Sequence, residues 1–325
     1  MWRFLLRKAL GHAVLWLVAA SLVYLLACLA LDPRGNYAAQ QPAPPEDVVD
    51  ATLQEYNLND KDPLAQRYAV WISGVLRGDL GQSWDGAEVT EEVMRRVGVS
   101  LRLLTLGFVV GVASGALTAI AATLRPDGWF DRLSGVGAMV LLSVPAVVVA
   151  LSLENVALWF NATTGAEVFR FTGEFRPDLE GAARFLDRVQ HLVLPTLTVA
   201  LPVAALLARY QRGLLADAAE SEYVRGARGR GLTHRRALVR HALRVALLPL
   251  FTFAGLTLAG LFTGVVFAET VFGWHGVGAY LIDSISSGDV NSVAAVGCLT
   301  AAAVVLVSFA GDMAHGALDP RIREN

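Results

Sequence analysis

The chain has 325 residues, of which 54% are hydrophobic and 17% charged, with a mean hydropathy of +0.48. A soluble chain carries closer to a quarter charged residues, so this composition excludes an ordinary soluble enzyme and points to a multi-pass membrane protein. The 27 Lys and Arg against 29 Asp and Glu leave a net charge of −2, which gives no ground for a nucleic-acid partner.

Arg3, Arg7 and Lys8 precede about twenty apolar residues, His12 to Leu31, a length that crosses a bilayer core. A cleaved signal ending at Leu25-Leu26-Ala27-Cys28 is disfavoured by the length of that run and by the spans that follow. Asp32 to about Gly98 is polar, with twelve acidic residues against six basic ones, and opens on a stiff linker at Pro42, Pro44 and Pro45. Leu64, Tyr68, Trp71, Ile72, Val75 and Leu76 then recur at helical spacing up to Gly78, predicting an amphipathic helix on the membrane surface or the bundle. Asp85 and Glu88 have the spacing of a capping box at the start of the next helix.

Further spans are predicted at Leu101–Leu124, at Leu133–Phe160 with a kink at Pro145, and at His191–Ala208. Leu247–Phe267 and Val293–Met313 complete six. Arg125 to Arg132 is a short turn, and Asn161 to Gln190 a segment of mixed charge. Between the fourth and fifth spans, Arg209 to Pro249 holds nine arginines. Lys and Arg number three in the N-terminal tail, two in the Arg125 turn and two at the C-terminus, against four in Asn161–Gln190 and none in Ala268–Ser292, so both termini are expected in the cytoplasm and those two segments outside. The expected division is therefore 1–31, tail and first span; 32–98, external loop with amphipathic helices; 99–316, a five-helix core containing the basic loop 209–246; and 317–325, a cytoplasmic tail.

Within the basic loop, Glu222 to Leu232 reads as a short helix closed by glycine, and Thr233 as the cap of a second. In that second helix Ala237, Leu238, His241, Ala242 and Val245 share one face, while Arg236, Arg240 and Arg244 lie on another. Among intramembrane polar groups, Glu154 and Asn155, beyond Pro145, are candidates for a translocation path. Asp312 and His315 fall at the end of the sixth span and read as interfacial, and Cys28 and Cys298 as buried small hydrophobes without metal-ligand spacing. The only lysines, Lys8 and Lys61, do not complete a Gly-x-x-x-x-Gly-Lys pattern, so the chain has no phosphate-cradling loop.

The ordered match Glu222, Tyr223, Val224, Arg225, Ala227, Arg228, Gly231, Leu232, then His241, Ala242, Leu243, Arg244, Ala246, Leu247 and Pro249, resembles the coupling loop of ATP-binding-cassette importer permeases of the dipeptide and oligopeptide type. Gly226 and Gly229 replace that family's usual Thr and Ala, and Arg230 its Lys. Tyr56 to Leu64, Leu76 to Gly81, the stretch Glu269 to Gly278 with His275 in place of the usual Pro, and the closing Ala317 to Arg323 are also similar to the family. The resemblance implies a type I importer permease fold in a bacterial cell membrane and a non-catalytic role. It further implies ATPase contacts at Glu222, Tyr223, Arg225, Ala227, Arg228, Gly231 and Leu232, with Ala227 facing the ATPase, and an external gate at Glu269, Phe272, Trp274, Gly276 and Gly278. Implied partners are a second, homologous permease subunit, two ATPases carrying the ATP and Mg, and an extracytoplasmic peptide-binding protein; no cofactor or metal is expected on this chain. Nickel and glutathione importers share the pattern. Of other classes, an ion-driven transporter lacks paired mid-membrane charges, and Val112 breaks the Gly-x-Ser-Gly of an intramembrane protease at Ser114-Gly115.

Overall fold

The structure is a computed structural model and describes residues 2–243, 260–262 and 264–318. Among these residues the secondary structure is helical, apart from one isolated bridge between Gln82 and Glu88. Five helices are long and apolar enough to cross a membrane, and six if Gly260–Phe272 and Val277–Ser286 are counted as one broken span. Most of the predicted fifth span, with Arg244, Val245 and Pro249, lies outside the described residues, as do 319–325 of the tail and the side chains of His241 and His315. The chain divides into two compact units: Met1–Ser100 with His275–Asn325, and Leu101–Trp274. In this division the last span falls in the same unit as the first.

In the first unit, α1 (Trp2–Ala30) packs along the final long helix, Val290–Leu318, through Ala20, Tyr24, Ala27, Ala294 and Cys298. A Cβ on Gly297 would lie 2.3 Å from Val23 Cγ1, so the two backbones approach as only glycine permits. Lys8 Nζ meets Asp312 Oδ2 at 2.8 Å, giving the interfacial aspartate a partner. Three shorter helices follow: α2 (Arg34–Ala38), α3 (Glu46–Glu55) and α4 (Leu64–Val75). The predicted stripe forms α4, and it packs on the unit's own core: Trp71 stacks on Tyr24 with ring centroids 4.4 Å apart. Arg34 ties this region together by bonding Asp50 at 2.7 Å and Asp60 at 2.6 Å.

The helix α5 (Val89–Leu124) is three turns longer than the predicted span. Asp85 does not cap it; its carboxylate accepts from Ala87 N at 3.1 Å, closing a local turn, because the chain reverses at Ser83–Ala87 before the helix begins. In the second unit α5 packs against α8 (Gly181–Ala219) through a ladder of glycines. A Cβ on Gly107 would lie 2.4 Å from Val199 Cγ1, on Gly111 2.7 Å from Val203 Cβ, and on Gly115 2.8 Å from Ala204 O. Glycine at every fourth position clears one face of α5, so its backbone rests directly on the valines and the main chain of α8.

The third predicted span is not one kinked helix. It is two: α6 (Trp129–Ser143) and α7 (Ala146–Thr164). Val144 is extended, with ψ 127°, because Pro145 Cδ crowds the residue before it out of the helical region. Pro195 and Pro202 remain inside the continuous α8. Arg212 on α8 grips Asp131 on α6 with Nε–Oδ1 at 3.1 Å and Nη2–Oδ2 at 2.9 Å. This fork holds the Asp131 carboxyl below the usual carboxylate range. After α8 come α9 (Glu222–Gly229), α10 (His234–Ala237) and a π-helical turn, Leu238–Ala242. Past the undescribed stretch, α11 (Val277–Ser286) and α12 (Val290–Leu318) return the chain to the first unit.

Candidate functional site

The segment expected to couple is built from a short helix with two unlike faces. Val224 and Ala227, three residues apart, are fully buried against Ala119, Leu215, Ala218, Ala237, Leu238 and Ala242. Tyr223, Arg225, Gly226, Arg228 and Gly229 are exposed, and the Glu222 side chain is 88% exposed. Ala227 was expected to face a partner; it faces the chain's own core instead, because its i−3 neighbour Val224 fixes the apolar side of the helix. The two departures from the family pattern, Gly226 and Gly229, fall on the outer side, where a Cβ would meet nothing within 4 Å.

The end of α9 follows the sequence closely. Gly231 has φ +92°, Leu232 N donates to Ala227 O at 3.3 Å, and Gly231 N donates to Arg228 O at 2.9 Å. These two bonds make a Schellman motif, and Leu232 adds its apolar contact on the buried cluster. Thr233 Oγ1 then accepts from Arg236 N at 3.4 Å, the cap that the sequence predicts. Ala237, Leu238 and Ala242 are buried on one face and Arg236 and Arg240 exposed on the other, as the spacing requires. Arg225 is locally occupied, donating to Glu220 O at 3.0 Å and lying 3.5 Å from Glu222.

Of the expected gate residues, Glu269, Phe272 and Trp274 lie in the second unit and are fully buried or nearly so. Trp274 N donates to Glu269 O at 2.8 Å around Gly273, whose φ is +66°. Gly173 N bonds Phe272 O at 2.8 Å, and the Phe171 ring meets Phe272 edge-on at 6.5 Å. Gly276 and Gly278 belong to the first unit, where Gly276 is extended ahead of α11 and Val277 N donates to Ser100 Oγ at 2.8 Å. The sharp turn is thus at Gly273 alone.

The path candidates separate. Glu154 is half-buried and in register with buried Ala150 and Ala157, and it has no hydrogen-bond or ion-pair partner among the described residues. Asn155 is exposed and spends its amide on Leu151 O at 2.7 Å. Pro145 breaks the chain ahead of both.

Two features escaped the sequence reading. One is the glycine ladder, whose four-residue spacing was there to be found. The other is a polar lock in the first unit. Asp289 accepts from Ser83 Oγ, from Ser292 Oγ at 2.6 Å and from Ser292 N at 3.2 Å. Asn291 Nδ2 donates to Tyr56 O at 3.0 Å and to Gln82 O at 2.8 Å. Burial pushes the Asp289 carboxyl up, against the lowering effect of the serine hydroxyls. An aspartate just before a long apolar run, with serine three residues on, was the available signal.

Compared with known sequences, residues 111–324 match the profile of the family described as the binding-protein-dependent transport system inner membrane component. The chain belongs to that family. This permease is similar along its whole length to the oligopeptide transport system permease protein OppB of Mycobacterium tuberculosis, at 42% identity over 325 residues and 99% of each chain. OppB of Mycobacterium bovis matches equally. The glutathione transport system permease protein GsiC of Salmonella typhimurium is 29% identical over 327 residues, again covering 99% of each chain. The permease is thus a multi-pass protein of the inner membrane, and the matched region contains Glu154, the α9 segment and the Glu269–Gly278 loop.

Proposed function

We propose that this permease is one of two homologous membrane subunits of an ATP-binding-cassette importer for di- and oligopeptides. The full-length 42% identity to OppB carries the peptide assignment. In this reading both termini lie in the cytoplasm, and an extracytoplasmic binding protein delivers peptide to the opposite side. The chain itself performs no catalysis. Mg-ATP is held by two ATPase subunits, one seated on the exposed face of α9, where Glu222, Tyr223, Arg225 and Arg228 offer charge and an aromatic ring.

The mechanism follows from that seat. ATPase closure pulls α9, and α9 is fixed to the bundle by Val224, Ala227 and Leu232, so its motion reaches α5 and α8 through the apolar cluster. A change in the contacts of α9 between two states is what biases the bundle toward one or the other. Glu154, half-buried and without a partner among the described residues, is available to a peptide ammonium group. The buried Glu269–Trp274 turn closes the outer mouth.

The test is reconstitution of the permease with its partner subunits, followed by uptake of labelled peptides, glutathione and nickel. Peptide uptake is expected; uptake of glutathione or nickel alone would replace the substrate assignment. Cysteines placed at Ala43 and Thr172 are expected to label with an impermeant thiol reagent in intact cells, and one at Ala219 to stay unlabelled. Labelling at position 219 would reverse the orientation.

A further inference from the structure

Beside the seat of α9, α5, α6 and α8 enclose a groove of about 630 Å³. Its floor is apolar: Ala122, Val136, Ala138, Met139 and Ala208 line it. Its rim is basic. Arg212 is spent on Asp131, but Arg132 and Arg209 are exposed and have no carboxylate partner among the described residues. The rim therefore carries two uncompensated positive charges above a hydrocarbon-like floor. Across the Gly128 turn a second cavity of about 380 Å³ repeats the chemistry with Arg125, Arg235, Phe130 and Trp129, the last 74% exposed.

A soluble anion uses the arginines and has no use for the floor. An apolar helix of another subunit uses the floor and leaves two charges unpaired against it, which is costly in a membrane. A molecule with an anionic head and a hydrocarbon tail uses both, and basic pockets between membrane helices bind such head groups. Exposed tryptophan beside the rim marks the headgroup level. We infer that the groove between α5, α6 and α8 binds one anionic phospholipid, its phosphodiester on Arg132 and Arg209 and an acyl chain along Val136, Met139 and Ala208. Ala119 lines this groove and also belongs to the core beneath Ala227, so the lipid and the coupling segment share a wall. The inference needs only membrane insertion, and it stands whatever the transported substrate.

The experiment is native mass spectrometry of the assembled, delipidated transporter titrated with palmitoyl-oleoyl phosphatidylglycerol or the matching phosphatidylcholine. The unaltered protein is expected to retain phosphatidylglycerol preferentially. Arg132→Gln with Arg209→Gln is expected to weaken the tightest phosphatidylglycerol site about thirtyfold, two arginines at roughly 1 kcal/mol each. The double lysine variant should keep most of the affinity. Gly135 opens on the groove with nothing within 4 Å of its Cβ, so Gly135→Leu should fill the acyl path and lose the lipid with the charges intact. Equal retention of both lipids by the unaltered protein would overturn the assignment. So would displacement by inorganic phosphate, or cross-linking of a photoreactive residue at position 135 to the second permease subunit instead of to lipid.

Discussion

The Leu80–Val89 loop, which begins where a family-like stretch ends, and the Glu222–Gly229 helix, which carries one, are both short segments, and their polar groups find different surroundings. In the loop, two polar groups turn inward while Asp85 and Glu88 stay exposed: Ser83 is buried on Asp289, and Gln82 O is taken by Asn291. In α9 they turn outward, and the buried side holds only Val224 and Ala227. A segment whose hydrogen bonds are satisfied inside its own chain behaves as a fixed brace. One that rests on small apolar groups and shows its charges to solvent is ready to be gripped by something else. On the proposed function, the contrast makes the first a rigid brace and the second the transmitting element.

The largest break of that contrast is expected from Ala227→Leu. Three extra heavy atoms in a closed core cost about 1–3 kcal/mol, and here the strain lifts α9 from its seat. Uptake in reconstituted membranes should fall at least tenfold, about the effect of 1.4 kcal/mol, and the ATPases should no longer co-purify, with the subunit still in the membrane. Gly231→Val should act alike, because a β-branched residue at φ +92° opposes the turn that ends the helix. Normal transport in both variants would remove α9 from coupling.

Next in size is Asn291→Ala, which leaves Tyr56 O and Gln82 O without their buried donor at a cost of about 1–3 kcal/mol. Thermal unfolding should drop by several degrees, while the peptide transported per ATP hydrolysed stays unchanged. A lost coupling ratio with unaltered stability would make the loop something other than a brace.

A smaller effect is expected from pH. Asp289 has its carboxyl raised by burial, so the native state favours the protonated form. Its contribution to stability is fully present below the unfolded carboxylate value and is lost as pH rises through the folded one. Melting temperature should therefore decline across the window just above the usual carboxylate range. In Asp289→Asn the decline should disappear, and a decline that persists would place the titrating group elsewhere. Smallest is Lys61→Ala: its pairs with Glu46 and Asp50 are solvent-exposed and screened, and neither stability nor uptake should change measurably.

What was legible in the sequence was carried by local pattern. The α4 stripe, the left-handed Gly231, the Thr233 cap and the basic face of Arg236 and Arg240 each depend on residues within one or two turns. The illegible part depends on partners far along the chain. Val224, three residues back, marks the apolar side of α9 on which Ala227 lies, but what that side packs on, Ala119 of α5 among others, is far along the chain. Asp289 is defined by Ser83, 206 positions away. The break at Pro145 was half legible: proline announced a disturbance, but the extended Val144 turned a bend into two helices. Glu154 and Asn155 are neighbours in sequence, and one residue of rotation puts the first in line with Ala150 and the second toward the outside.

The glycine ladder bears on how far a small movement travels. Because the α5 backbone at Gly107, Gly111 and Gly115 rests directly on Val199, Val203 and Ala204 of α8, at most one layer of side chains lies between the two helices to absorb a displacement. α8 has 39 residues, which at about 1.5 Å each make a rod roughly 58 Å long. At one end Asp187 is clasped by Arg170 at 2.5 Å; at the other the rod runs to Ala219, just ahead of α9. A tilt of about 10° around the middle of such a rod moves each tip by about 5 Å, close to one helical turn. A rod that pivots at its middle has no mechanical advantage, so a shift at the α9 end reaches the Asp187 end at full size and in the opposite direction.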